Sequence, residues 1–193
     1  MKKIITIIMG LIVSACCSNS PNFYQTVAID NHATQIENVK DTILLKPITL
    51  PSMVTRPQIV TLGKEDFEVN IDEFNRWASS LDKMVYSTVS ENLGSVLPNA
   101  TINRPFILKK NYKYSVSIDI LELSGRLKEK ATLKASYVIR DRNNKVVLEN
   151  KFNNTIKIKR KYDEYIPALN TLIGELSYNI AKDIDNLLYF SWF

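Results

Sequence analysis

Residues 112–120 read Tyr112-Lys113-Tyr114-Ser115-Val116-Ser117-Ile118-Asp119-Ile120. Tyr112, Tyr114, Val116, Ile118 and Ile120 alternate with polar neighbours, the period-2 signature of a strand with one face buried. Ala131, Leu133, Ala135, Tyr137 and Ile139 repeat the pattern. Asp141-Arg142-Asn143-Asn144 is turn chemistry, because Asn and Asp tolerate left-handed backbone. Val146 to Ile158 then returns. Three such strands joined by short links predict an antiparallel meander, and the rest of the chain must cover its apolar face.

Two amphipathic stretches supply that cover. In residues 165–189, Leu169, Leu172, Ile173, Leu176, Ile180, Ile184 and Leu187 fall at helical spacing, and Pro167 suits a first turn. In residues 70–97, Phe74, Trp77, Ala78, Leu81, Val85, Val89, Leu93 and Val96 do the same, with Asn70 or Asp72 as cap, Val69 and Phe74 as staple and Pro98 as stop. Trp77 lies within this stripe and reads as a structural anchor of the core. Shorter strands are expected at 23–29, at 42–50 ending on Pro51, at 57–62 with a short hairpin partner at 67–69, and at 99–109. The expected fold is α+β: a mainly antiparallel sheet with two long helices packed on one face, a single domain over residues 23–193.

The first residues are of another kind. Lys2 and Lys3 precede an apolar run from Ile4 to Val13, then Ser14-Ala15-Cys16. A basic end, a short apolar core and small residues form a secretory signal, and the core is shorter than the roughly 20 apolar residues that span a bilayer. Val13-Ser14-Ala15-Cys16 resembles a bacterial lipobox. That resemblance implies a signal peptide over residues 1–15, a diacylglycerol and an N-acyl chain (palmitate or similar) on Cys16, and a tether over residues 16–22. Cys17 in place of an aspartate then implies the inner leaflet of the outer membrane, facing the periplasm. Each buried methylene contributes about 0.8 kcal/mol, so three acyl chains hold a protein at a surface where one does so only marginally. With two cysteines in the chain and one acylated, no internal disulfide is expected. Cys17 is either a spectator beside the headgroups or a site of intermolecular pairing.

Composition narrows the function classes by exclusion. The net charge of +5 includes Lys2 and Lys3, so the mature chain carries about +3 and gives no footing for a nucleic-acid partner. No apolar run of spanning length follows the signal. The single histidine, His32, sits in a polar stretch, so neither a histidine metal pair nor a histidine-based triad is available. The five glycines, at 10, 63, 94, 125 and 174, make no phosphate loop. Glu65-Asp66 and Asp163-Glu164 read as solvated acidic pairs. No catalytic residue, metal ligand or cofactor site is selected, and a non-enzymatic protein is expected. Lys157, Lys159, Arg160 and Lys161 form the densest basic run. It reads either as a charge-protected edge strand or as a patch for anionic headgroups or an acidic partner. The aromatic tail Tyr189-Phe190-Ser191-Trp192-Phe193 either packs under the sheet or caps a partner.

Leu50-Pro51-x-x-Val54-x-Arg56-Pro57-Gln58-Ile59-Val60, followed by Arg76-Trp77-Ala78-x-x-Leu81 and Asn92-Leu93-x-x-x-Leu97, resembles the PqiC/YmbA lipoproteins, the ABC-type transport auxiliary lipoprotein components. The likeness runs through the meander and the last helix. It implies a docking role beside an MCE-domain transport protein that carries lipid across the periplasm, with copies of the chain arranged as a homo-oligomer ring. It implies no catalytic residues. It singles out Arg56, Pro57 and Gln58 as a family motif, with Arg56 either bracing the strand entry or reaching a partner. Two alternatives stay open at this stage: a periplasmic lipid-binding carrier module, which needs an apolar cavity, and another envelope-integrity lipoprotein. An envelope hydrolase is disfavoured by the missing constellations.

Overall fold

The structure, a computed structural model, describes residues 20–29, 34–65, 67–103 and 112–190. The signal peptide, Cys16, Cys17, His32, Asp66, the strand positions Phe106 and Leu108, and Trp192 and Phe193 lie outside the described residues. Ten elements follow in chain order: β1 (Asn22–Tyr24), β2 (Thr42–Leu45), β3 (Gln58–Leu62), β4 (Val69–Trp77), α1 (Leu81–Val96), β5 (Thr101–Asn103), β6 (Tyr114–Arg126), β7 (Lys130–Asp141), β8 (Val146–Lys157) and α2 (Tyr162–Phe190). They form a five-stranded sheet, ordered β5-β2-β6-β7-β8, and a three-stranded sheet, ordered β1-β4-β3. The three longest pairings, β3–β4, β6–β7 and β7–β8, are antiparallel; β1–β4, β2–β5 and β2–β6 are parallel. The fold is α+β, with two mixed sheets in place of the one sheet expected.

The meander forms where alternation predicts it and runs further. β6 extends past Ile120 because the register shifts there: Ile120 pairs with Ala135 and Glu122 with Lys134. Leu121 is the extra, exposed residue of this bulge. The insertion resets the phase, so Leu123 points inward with Leu133, its partner. A strict period of two ends the strand too early because it cannot count across a bulge. Asn144 has φ 64° in the β7–β8 turn, the left-handed conformation expected of that stretch.

α2 begins at Tyr162, three residues before its expected start, so Pro167 falls inside the helix, on an exposed position. Its inward stripe is the expected one: Leu169, Leu172, Ile173, Leu176, Ile180 and Ile184 are buried. The basic run lies on the edge strand β8 only at Lys157. β8 ends at Lys157, Ile158 is buried, and residues 159–161 form the turn into α2. There the Glu164 carboxylate accepts the backbone N–H groups of Lys159 and Arg160, and Arg160 pairs with Asp163 and Glu164. Glu164, in the first turn of α2, reaches back to the backbone and the guanidinium of the residues before the helix, and acids at a helix N-terminus are favoured by its dipole.

The other expected helix is half right. α1 starts at Leu81, with Ser80 at the N-cap position and its hydroxyl on the Asp82 carboxylate rather than on a backbone N–H, and buries Leu81, Val85, Val89, Leu93 and Val96. Residues 69–77 are instead strand β4, paired with β3 from Leu62–Val69 to Ile59–Asp72. The hairpin expected over 57–69 is therefore longer than its sequence pattern. Asp72 Oδ1 accepts the N–H groups of Phe74 and Asn75 at 2.9 and 3.0 Å. This is the capping bond expected of Asp72, made in a bulge rather than at a helix start. Such local side-chain bonds compete with helix, and pairing with β3 decides the outcome. Phe74 is exposed while Trp77 is buried, so the apparent helical spacing of the two is coincidental. The expected first strand, 23–29, pairs only over Asn22–Tyr24. The expected second strand pairs regularly only over Thr42–Leu45, with one further bridge at Thr49.

Residues 26–29 form an extended strap between the helices, fastened by polar side chains. Thr26 bonds Thr88 of α1, while Val27 N–H donates to Asn170 of α2 and Ile29 N–H to Asn92 of α1. Buried Gly174 on α2 makes room for Ile29, whose side chain sits where a Cβ at 174 would be.

A candidate docking site on the small sheet

The two blocks that carry the family resemblance lie apart in the chain and meet on the three-stranded sheet. Gln58 is paired with Arg76, and Arg76 with Phe23. Paired residues point to the same face, so Phe23, Arg76 and Gln58 make one row across β1, β4 and β3. Backbone bonds fix the adjoining row: Trp77 N–H donates to the Pro57 carbonyl at 2.8 Å, and Ala78 N–H to the Tyr24 carbonyl at 2.7 Å. Glu73 ties the outer row together. Its carboxylate accepts from Gln58 Nε2 at 3.1 Å and from Arg76 at 2.9 Å. These two bonds, Gln58's first, with the nearby charges of Arg76 and Arg56, hold the Glu73 carboxyl below its usual range.

Arg56 and Pro57 are exposed at the edge of this row, and Gln58 is half-buried. Thr55, Arg56, Pro57, Trp77, Ala78, Ser79 and Ser80 line an open cleft of about 360 Å³. The Trp77 side chain is 6% exposed and belongs to the hydrophobic core. The structure thus brings Arg56, Pro57, Gln58 and Trp77 together. Each arrives from a strand or a strand end; the expected placement of Trp77 on a helix is corrected by β4.

Beneath the row lies a polar and aromatic network that sequence reasoning missed. Tyr162, the first residue of α2, donates its hydroxyl to Asp72 Oδ2 at 2.8 Å, and Asn75 Nδ2 donates to the same oxygen. Tyr24 donates to Asn75 Oδ1 at 3.0 Å. The rings of Tyr24 and Tyr162 are 5.4 Å apart, and those of Tyr162 and Tyr165 meet edge-on at 6.4 Å. Burial works to raise the Asp72 pKa, but the bonds from Asn75, Tyr162 and two backbone N–H groups outweigh it and hold the carboxyl below its usual value. Burial, then the Asp72 bond and charge, push the Tyr162 hydroxyl well above its ordinary value. The pair is therefore a fixed donor and a fixed acceptor at neutral pH, suited to holding β1, β4 and α2 in register rather than to moving protons. Asp72 as a capping residue was the one signal in the sequence; its partner ninety positions later was not visible.

Two other clefts are described. One of about 500 Å³ runs between β8 and α2, lined by polar residues that include Lys151, Asn153, Asn154, Glu175 and Asn179. The other, about 450 Å³, lies between the strap and α1. Among the described residues no group of three or more His, Cys, Asp or Glu is placed to hold a metal ion, and no helix is long and apolar enough to cross a membrane.

Known proteins are similar to this chain in sequence and in fold. The profile of the ABC-type transport auxiliary lipoprotein component family matches residues 24–181. The chain belongs to that family. As a transport auxiliary lipoprotein component it is similar to the intermembrane transport lipoprotein PqiC of Escherichia coli K12, 21% identical over 191 residues that cover 97% of this chain and 100% of that one. PqiC of Shigella flexneri matches to the same extent. Among solved structures, an uncharacterised protein superposes with a TM-score of 0.72 at 19% identity, covering 86% of this chain and 99% of the other. A Xanthomonas campestris protein superposes with a TM-score of 0.70 at 14% identity, covering 88% and 99%. These two likenesses show a shared fold.

Proposed function

We propose that the chain is a non-enzymatic lipoprotein, acylated on Cys16, held on the inner leaflet of the outer membrane and facing the periplasm. There it docks the end of an MCE-domain protein in an intermembrane lipid transport system. Membership of a transport auxiliary family and likeness to PqiC support this reading. The observation that carries it is the meeting of the Arg56-Pro57-Gln58 and Arg76-Trp77-Ala78 blocks around one cleft, with Arg56 exposed at its rim. An exposed guanidinium beside a rigid proline offers a planar, bidentate donor to a partner's carboxylate or carbonyl groups. Trp77, buried beneath, serves as the anchor that keeps the rim in shape.

The test is affinity purification from detergent-solubilised membranes, wild type beside Cys16→Ala, with mass spectrometry of bound proteins and lipids. The docking reading predicts an MCE-domain protein with the acylated chain, and loss of membrane fractionation for Cys16→Ala. Stoichiometric phospholipid without a protein partner would replace docking by lipid carriage.

A further inference from the structure

The outer face of the small sheet carries, beside the Glu73–Arg76–Gln58 row, an unusual number of exposed apolar side chains. Among the described residues, ten large apolar side chains are exposed, and five of them, Phe23, Phe67, Val69, Ile71 and Phe74, lie on this sheet and its hairpin turn. Register shows how they are arranged. Ile71 pairs with Val60 and Val69 with Leu62. Along β3, half-buried Gln58, buried Val60 and half-buried Leu62 share one face, opposite to Ile59, which belongs to the core cluster, so the exposed apolar surface is supplied by β1, β4 and the turn. Phe23, through Arg76, stands on the Gln58 face. Asp72 points the other way, to Tyr162. One face therefore runs from Phe23 past Ile71 and Val69, with Phe74 in the bulge and Phe67, 89% exposed, at the turn. Scattered exposed apolar residues need no account, but a contiguous set marks an interaction surface.

The tether says what lies opposite it. On the reading that Cys16 is acylated, on which this inference rests, the six residue steps from Cys16 to Asn22 span at most about 22 Å even when fully extended. β1 begins at Asn22, and Phe23 is the next residue. β1, an edge strand of this sheet, is thus held within that reach of the acyl chains, and Phe23 is its first residue on the outer face. An aromatic and aliphatic surface at the headgroup boundary buries its apolar area there. We infer that the outer face of the β1-β4-β3 sheet lies on the phospholipid leaflet, with Phe23, Phe67 and Phe74 as its contacts. The acyl anchor and this face together fix the orientation of the domain, and the Arg56 cleft is presented at the edge of the membrane rather than away from it.

The test uses the full acylated chain in vesicles of phosphatidylethanolamine and phosphatidylglycerol doped with headgroup-nitroxide lipid. Phe67→Trp is compared with Val146→Trp, after subtraction of the wild-type emission of Trp77 and Trp192. Val146 is also exposed, but it starts β8, next to the far end of a meander whose other end holds the hairpin through the Arg126–Gly63 bond. The inference predicts that Phe67→Trp loses most of its added emission and that Val146→Trp keeps its own. Equal quenching of the two overturns it while leaving the anchor intact. A Phe67→Trp signal that ignores the nitroxide but shifts with protein concentration also overturns it, assigning the face to a second copy. Mass spectrometry of the N-terminal peptide comes first; an unmodified Cys16 overturns the anchor reading and this inference with it.

Discussion

α2 is fastened to each sheet by a tyrosine–aspartate bond, and the two bonds sit in different surroundings. On the large sheet, Tyr137 of β7 donates to Asp183 of α2 at 2.5 Å, with Asn150 of β8 as second donor. Around it lie Leu133, Ala135, Ile139 and the buried stripe of α2. On the small sheet, Tyr162 of α2 donates to Asp72 of β4 at 2.8 Å. There Trp77 and Ile59 reach the core, while Val69, Ile71 and Phe74 face out. The large sheet is held by apolar area and decorated by a hydrogen bond. The small sheet has little inward apolar area of its own and depends on specific polar bonds. Stability is not uniform in such a molecule; regions with few buried apolar contacts open first. A docking region is expected to belong to that class.

The strongest way to break the comparison is Trp77→Ala. Removing a buried indole costs about 3–5 kcal/mol, and because Trp77 closes β4 onto the core, thermal unfolding should shift for the whole domain. A variant that keeps its melting temperature but loses partner binding would make Trp77 a contact residue instead.

Gly125→Ala strikes the large sheet. The added Cβ would sit 2.4 Å from a Tyr165 ring carbon and 2.6 Å from the Lys130 carbonyl oxygen, and Tyr165 is fully buried. Overpacking of this kind costs about 1–3 kcal/mol. Denaturant melts of Gly125→Ala should show it with an unchanged slope.

Asp72→Ala sharpens the comparison. It strips acceptors from Tyr162, Asn75 and two backbone N–H groups, an effect of about 1–3 kcal/mol. Hydrogen exchange should rise across residues 69–77 and stay low in β7. The pH dependence follows from sign. The folded Asp72 pKa lies below the ordinary carboxylate value. Its contribution is therefore complete above about pH 4 and is lost as pH falls through the depressed folded value. Asp72→Ala should lose that acid-side decline, and a variant that keeps it would place the titration elsewhere.

How far the sequence could be read follows the same division. The meander and the α2 stripe were legible because apolar area dominates there, and apolar area leaves a period. The β6 extension was missed at one bulge residue, Leu121. In the small sheet the pattern misled: Phe74, Trp77 and Ala78 fell at helical spacing by chance, while Val69, Ile71 and the Asp72 side-chain bond favoured strand and bulge. The parallel pairing of β1 with β4 and the strap between the helices rest on Asn75, Asn92 and Asn170, polar residues with no periodicity to betray them. The candidate site was legible as two motif blocks and became a site only when β3 and β4 paired.

The smallest expected effect on the fold carries the most about function. Arg56 is exposed, so Arg56→Glu should change stability by about 0.5 kcal/mol or less. Arg142→Glu, at a position also exposed, in the β7–β8 turn of the large sheet, is its control. The central measurement is the recovery of the MCE-domain partner with each variant from solubilised membranes. Reversing a charge at a docking rim costs more than the roughly 1.4 kcal/mol that equals tenfold in affinity. The docking account predicts that Arg56→Glu loses the partner and Arg142→Glu retains it as wild type does. Full recovery with Arg56→Glu, or loss with Arg142→Glu alone, would contradict it and move the interface to the large sheet.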